Sequence, residues 1–215
     1  MDEIYTHYTV MKKELVESLN CANQDKIYVD GTLGGGGHSE EILKQLNGKG
    51  FLFSFDIDIA AINHSKERLK GYKNIKIIND SYTNIIENLE KEGISQIDGG
   101  VIFDFGASYH QLTSENRGFS FKHDSKLDMR FDQNSELTAY EIVNKYKESE
   151  LVDIFSNYGE ERYSKRIARS IVQSRKNKKI ETTFELNEII KSAIPTTNSH
   201  IHYATRVYQA LRIEV

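Results

Sequence analysis

The sequence predicts an α/β protein, a doubly wound parallel sheet that gives way past its midpoint to a helical region. Three observations carry this. Short apolar runs, rich in β-branched or aromatic residues and bounded by Gly, Asp or Asn, alternate with segments whose apolar residues recur at helical spacing. Four consecutive glycines, Gly34 to Gly37, stand at the first strand-to-helix junction. Strand-like runs cease after residue 105, and helical patterns alone continue.

In order, "KIYVD" (26–30), "FLFSFD" (51–56), "NIKIIN" (74–79) and "GVIFDF" (100–105) read as strands. Between them "HSEEILKQL", "AAINHSKERL" and "YTNIIENLEKEG" read as helices, so the strands run parallel with right-handed crossovers. Residues 106–132 are polar, Gly-bearing and irregular, and read as a long loop. Thr138 with Glu141 fits a capping box; Leu151, Ile154, Phe155 and Tyr158 form an apolar stripe that stops at Gly159. A second box, Thr182 with Glu185, opens a helix running to about Pro195. The expected organisation is a sheet domain over 1–109, a helical insertion over 110–200, and the start of a return to the sheet domain over 201–215. Four strands are few for a doubly wound sheet, and the last segment, "HYATRVYQALRIEV", stops in an apolar amphipathic pattern. The expectation is therefore that further strands lie beyond Val215.

Composition excludes some classes. With 38% hydrophobic and 28% charged residues among 215, the chain is neither disordered nor collagen-like, and it can bury a core. Its one cysteine, Cys21, allows no disulfide framework and no cysteine-rich zinc site; together with an N-terminus lacking a long apolar run, this points to a cytoplasmic protein. No metal motif is visible. The net charge of −4 hides an asymmetry: residues 160–179 hold eight basic and two acidic side chains, which makes this the place for a polyanion to land.

The chemistry begins at the glycines. Asp30 ends the first strand, and the loop after it can turn tightly and present backbone N–H groups beside a helix start. Such a loop suits a dinucleotide pyrophosphate, a nucleotide phosphate or the amino-acid end of S-adenosylmethionine. It does not fit GxxxxGK[ST], because Thr32 stands where the first Gly should and His38 follows Gly37 where Lys should, and GxGxxG read from Gly34 ends on Ser39. Asp56 closes the second strand, where an acid accepts ribose hydroxyls; Asp58 reads as the N-terminal residue of the next helix. Tyr82 follows the third strand and either lies against an adenine face or packs as a half-buried aromatic. Asp104 ends the fourth run, at the crevice where a bound cofactor reacts. Past it, Tyr109, His110, Phe119 and Phe121 either stack on a base or anchor the loop, while Arg117 and Arg130 either contact phosphate or pair with local acids. Arg162, Lys165, Arg166 and Arg169 share one helical face, with Tyr163, Ile167, Ser170 and Ile171 on another: an RNA footprint or a solvated surface.

"DGTLGGGGHS", "DFGASYHQL", "RGFSF", "LDMRFD", "YGEERYSKRIARSIV" and "HYATRVYQALRI", in this order, resemble the small-subunit rRNA cytosine-N4 methyltransferases called RsmH or MraW, over essentially the whole chain. The resemblance implies a class I, Rossmann-like, S-adenosylmethionine-dependent methyltransferase sheet interrupted by a helical substrate-recognition insertion. It implies methylation of a decoding-region cytidine on rRNA or an assembled small subunit, and cofactor contacts at Gly36, Gly37, His38, Asp56, Tyr82, Asp104 and Gln111. It favours rRNA as the partner of the basic face; Asp104 is the candidate catalytic residue, orienting the amine or accepting its proton after transfer. The chain departs from the family pattern at Tyr109 and Phe131, and lacks the family's segment past "ALRI". Two other readings compete: a non-catalytic RNA-binding fragment of such an enzyme, and an NAD-linked oxidoreductase, disfavoured by the missing third glycine.

Overall fold

The computed structural model describes residues 9–108, 111–112, 117–195 and 201–215. The chain divides into two compact units, Met1–His110 and Gln111–Val215.

In the first unit, α1 (Lys12–Ser18) leads into a four-stranded parallel sheet: β1 (Ile27–Asp30), β2 (Phe51–Asp56), β3 (Ile75–Asn79) and β4 (Gly100–Ile102), in the order β3-β2-β1-β4. The crossovers are α2 (Gly37–Leu46), α3 (Ile59–Leu69) and α4 (Ile85–Lys91), the last preceded by a 3-10 turn at Tyr82–Asn84. Strand alternation sorts the core. Tyr28 and Leu52 point into one layer with Ile42, Leu43, Leu46, Ile62 and Leu69, while Val29, Phe53 and Phe55 point into the other with Ile85 and Leu89. Burying each such side chain contributes about 1.5–3 kcal/mol, which is why the central strands read as near-continuous apolar runs.

The fourth strand is shorter than its sequence run. Pairing ends where Ile102 O accepts from Gly31 N; two residues on, the Asp104 N–H donates to the Thr32 side chain (2.7 Å) instead of to a strand. Asp104 thus sits just past the sheet.

The second unit is helical among its described residues: α5 (Ala139–Lys145), α6 (Glu148–Asn157), α7 (Ser164–Asn177), α8 (Thr183–Ala193) and α9 (Thr205–Glu214). The Thr138 hydroxyl caps α5 through Glu141 N, and Thr182 and Glu185 form the reciprocal box that opens α8. The segment before α5 is stitched to the start of α8: Leu127 N donates to Glu181 O, and Ser125 N to the Thr183 hydroxyl. Gly118 (φ +68) is required there, since a Cβ would collide with Lys126 O. Packing continues across position 200, where the sequence pattern predicts a boundary. Val207, Tyr208, Ala210 and Leu211 are fully buried in the helical core with Phe155, Ile167 and Leu186, and the Tyr208 hydroxyl donates to Thr183 O. The apolar face of α9 needs this cover.

No helix among the described residues is long and apolar enough to cross a membrane.

Candidate functional site

The C-terminal ends of β1 and β2, together with the segment after β4, place three carboxylates in very different surroundings. Asp30 is fully buried; its Oδ2 accepts from Ser39 Oγ (2.7 Å) and its Oδ1 from Thr32 N (3.1 Å). Ser39 Oγ also lies 2.8 Å from Ser54 Oγ. Burial pushes the Asp30 carboxyl above the usual carboxylate range, with its hydrogen bonds pulling back. Asp56 is likewise pushed up by burial while accepting from Gly34 N (2.7 Å) and Asp58 N (2.9 Å). Asp104 is the most open of the three, its side chain 41% exposed, with Asp56 between it and the buried Asp30. The three acids that the sequence places at one end of the sheet therefore divide into a buried brace, a loop anchor and an accessible carboxylate.

The glycine loop is held from below. Ser65 Oγ donates to Gly34 O and the Arg68 guanidinium to Gly35 O, with Arg68 in turn paired to Glu40. Gly34 (φ +50) and Gly36 (φ +74) adopt left-handed backbone, and a Cβ on Gly36 would press on Ser65 Oγ at 2.9 Å. The loop carbonyls are thus occupied, while α2 begins at Gly37 with N–H groups that no helical carbonyl can reach. His38 is buried; its Nδ1 lies 3.9 Å from Asp104 Oδ2 and its Nε2 3.1 Å from Val10 O. Asp58 caps α3 by accepting from Ala60 N, as its position predicts.

Beside Asp104 an aromatic wall faces outward. Phe103 and Phe105 stack at 5.2 Å and 9°, and Tyr82 meets both edge-on, at 5.7 and 5.3 Å. Tyr82 is 45% and Phe105 67% exposed, an arrangement that leaves flat apolar surface for another ring. Sequence reading singled out Tyr82 and missed the two phenylalanines; their i, i+2 spacing around Asp104 was the available signal. It also missed Thr32, whose grip on Asp104 joins residues 72 apart in sequence.

Gln111, the first residue of the second unit, is buried. Tyr109 and His110 lie outside the described residues. Of the other loop candidates, Phe119 is fully buried and Phe121 stacks on His202 at 4.2 Å, so both anchor the loop. Arg130 pairs with Asp128, and Arg117 donates to the carbonyls of Arg130 and Phe131; both arginines serve the fold. On α7, Ser164, Ile167, Ala168 and Ile171 are buried while Arg162, just before the helix, and Lys165, Arg166 and Arg169 are exposed. Arg162 lies over the Tyr163 ring at 4.8 Å, and Arg169 lies 3.6 Å from Glu148.

A sequence model of the MraW methylase family matches residues 4–215. The chain belongs to this family. Its sheet is accordingly that of a class I methyltransferase, with the glycine loop and Asp104 at the end of the strands where that enzyme class works. Among curated relatives, the ribosomal RNA small subunit methyltransferase H of Caldicellulosiruptor bescii is 47% identical over 212 residues, covering 99% of this chain and 68% of the relative. Enzymes of the same name from Clostridium botulinum (strain Loch Maree / Type A3) and Clostridioides difficile (strain 630) are each 48% identical, covering 98% of this chain and 68% of the relative. The chain thus spans about two thirds of the length of these MraW-family relatives. A solved structure titled as an rRNA methylase from Streptococcus thermophilus overlaps 43% of this chain and 47% of that one at 20% identity and a TM-score of 0.35, too slight a likeness to bear on the fold.

The buried carboxyl supplies a pH prediction. Asp30 holds its proton more tightly folded than unfolded, so its ionisation weakens the fold: stability falls as pH rises from the usual carboxylate range through the raised value. Asp30→Asn removes that loss. Its Oδ1 can still accept from Thr32 N, and its amide can donate to Ser39 Oγ, which retains Ser54 as a partner. The melting temperature of Asp30→Asn minus that of wild type is expected to rise with pH over that window, followed by thermal melts from about pH 4 to 8. A difference that does not vary with pH would show an ordinary carboxyl at this position.

Proposed function

We propose that this chain binds S-adenosylmethionine at the glycine loop and methylates the exocyclic N4 of a cytidine in the decoding region of small-subunit rRNA. The observation that supports this best is the convergence of His38 and an accessible Asp104 at the glycine loop, in a chain about 48% identical to relatives named for small-subunit rRNA methylation.

The residues present fit the cofactor. Asp56 uses each carboxylate oxygen once, for Gly34 N and Asp58 N, so a lone pair on each is left for ribose hydroxyls. The exposed wall of Tyr82, Phe103 and Phe105 suits adenine, and the N–H groups at Gly37 and His38 suit a carboxylate, while the Gly36 N–H donates to Leu33 O (2.8 Å) and closes the loop beneath them. Bound there, S-adenosylmethionine supplies a methyl group on a sulfonium, already an electrophile with a good leaving group. Cytosine N4 is a weak nucleophile because its lone pair is delocalised into the ring, so the protein's task is orientation, which can contribute several kcal/mol. Asp104 is suited to hold the amine and take the proton it loses as the N–CH3 bond forms. The exposed basic face of Arg162, Lys165, Arg166 and Arg169 is the proposed rRNA contact.

Calorimetric titration with S-adenosylmethionine, with NAD as control, followed by methyl transfer to small ribosomal subunits, tests the proposal. Asp56→Ala leaves two backbone donors without their acceptor, each worth about 1–3 kcal/mol, and is expected to weaken cofactor binding about a hundredfold. A folded wild-type chain that binds NAD but not S-adenosylmethionine would overturn the assignment. Binding with no transfer to any subunit preparation would favour a non-catalytic RNA-binding chain.

A further inference from the structure

Gly37 has no Cβ for a reason internal to the chain. A Cβ there would overlap Thr9 Oγ1 and come within 2.9 Å of Thr9 Cβ, and at the next residue His38 Nε2 meets Val10 O at 3.1 Å. The segment that passes closest to Gly37 is thus the protein's own. A carbonyl only accepts, so His38 uses Nε2–H as the donor, and its Nδ1 is left facing the Asp104 carboxylate at 3.9 Å. Val10 is 59% exposed and Met11 is exposed with left-handed backbone (φ 46), so burial of apolar side chains does not hold these residues in place. Met11 O accepts from Leu15 N (2.9 Å) at the start of α1, while Thr9 and Val10 are placed against Gly37 and His38.

We propose that Thr9 and Val10 form a strap that positions His38, fixing its Nε2–H tautomer and its distance from Asp104 before any ligand arrives. This rests on the cofactor reading above for its consequence, but its geometry stands without a ligand. Thr9 and Val10 are positioning residues, acting through the imidazole.

The test is a two-by-two set: wild type, Gly37→Ala, Thr9→Gly and the double variant. The readouts are the imidazole 15N spectrum and melting temperature without ligand, and S-adenosylhomocysteine affinity by calorimetry. Gly37→Ala displaces the strap, so it should lose the wild-type His38 signals, melt lower and bind about tenfold more weakly. Thr9→Gly makes room for the new methyl, so the double variant should return to the melting temperature and affinity of Thr9→Gly alone, within about threefold. A wild-type His38 spectrum in Gly37→Ala overturns the proposal, as does damage that Thr9→Gly fails to relieve, which would assign the glycine to the ligand. If the wild type binds no S-adenosylhomocysteine, the cofactor reading fails separately, and the strap is still decided by the ligand-free spectra and melts.

Discussion

Asp104→Asn is expected to lower methyl transfer to small ribosomal subunits about 10²-fold or more, while cofactor affinity falls less than about tenfold. The asymmetry follows from how the residue is held. Its backbone is fixed by the bond from its N–H to Thr32, which the substitution leaves alone, and its side chain is exposed enough that an isosteric amide costs little stability. Asn keeps one oxygen acceptor in place but cannot take a proton from an amine. Single-turnover transfer with saturating cofactor, set beside a calorimetric titration, separates the two roles. Turnover that survives intact removes the proton-acceptor role and leaves Asp104 as an orienting group. Equal losses in affinity and turnover would mean that the carboxylate serves mainly to bind the cofactor.

How legible this chain was in its sequence depended on the range of the interaction. "IYVD", "FLFSFD" and "IKIIN" announced themselves because a parallel sheet covered on both faces demands apolar β-branched and aromatic runs, and Thr182 with Glu185 marked a helix start because capping acts over three residues. The run 100–105 looked uniformly strand-like, yet pairing stops at Ile102, because the Thr32 hydroxyl, remote in sequence, takes the Asp104 N–H. Phe119 and Arg130, set in a polar irregular stretch, offered no periodicity to reveal that one is core and the other pairs with Asp128. The site followed the same rule. Its acids and glycines were visible as residue types at strand ends, but what each one touches was not. Gly37 is the clearest case: four glycines in a row suggest a ligand, whereas Thr9, 28 residues upstream, occupies the space beside one of them.

Replacing Arg162, Lys165, Arg166 and Arg169 together by Gln is expected to weaken binding to small-subunit rRNA by about 10²–10³ at 0.1 M salt and to flatten the slope of log K against log salt by about 3 units. Each phosphate contact formed on binding releases about 0.7 of a counterion on single-stranded RNA, and losing four such contacts gives both figures. Arg169 contributes least on geometric grounds, because Glu148 already neutralises part of its charge at 3.6 Å. All four are exposed, so the fold should be unaffected within about 0.5 kcal/mol. Arg175, on the same helix, is the internal contrast. Its guanidinium turns inward and donates to Val143 O and Tyr146 O at the end of α5, and burial lowers its pKa. Arg175→Gln should therefore destabilise the helical unit while leaving the salt slope of the folded protein close to wild type. If the quadruple variant keeps the wild-type slope, the face is a solvated surface and the RNA contact lies elsewhere. If Arg175→Gln flattens the slope as much as an exposed residue does, the charge of the whole helix acts on RNA at long range instead of four side chains making discrete phosphate contacts.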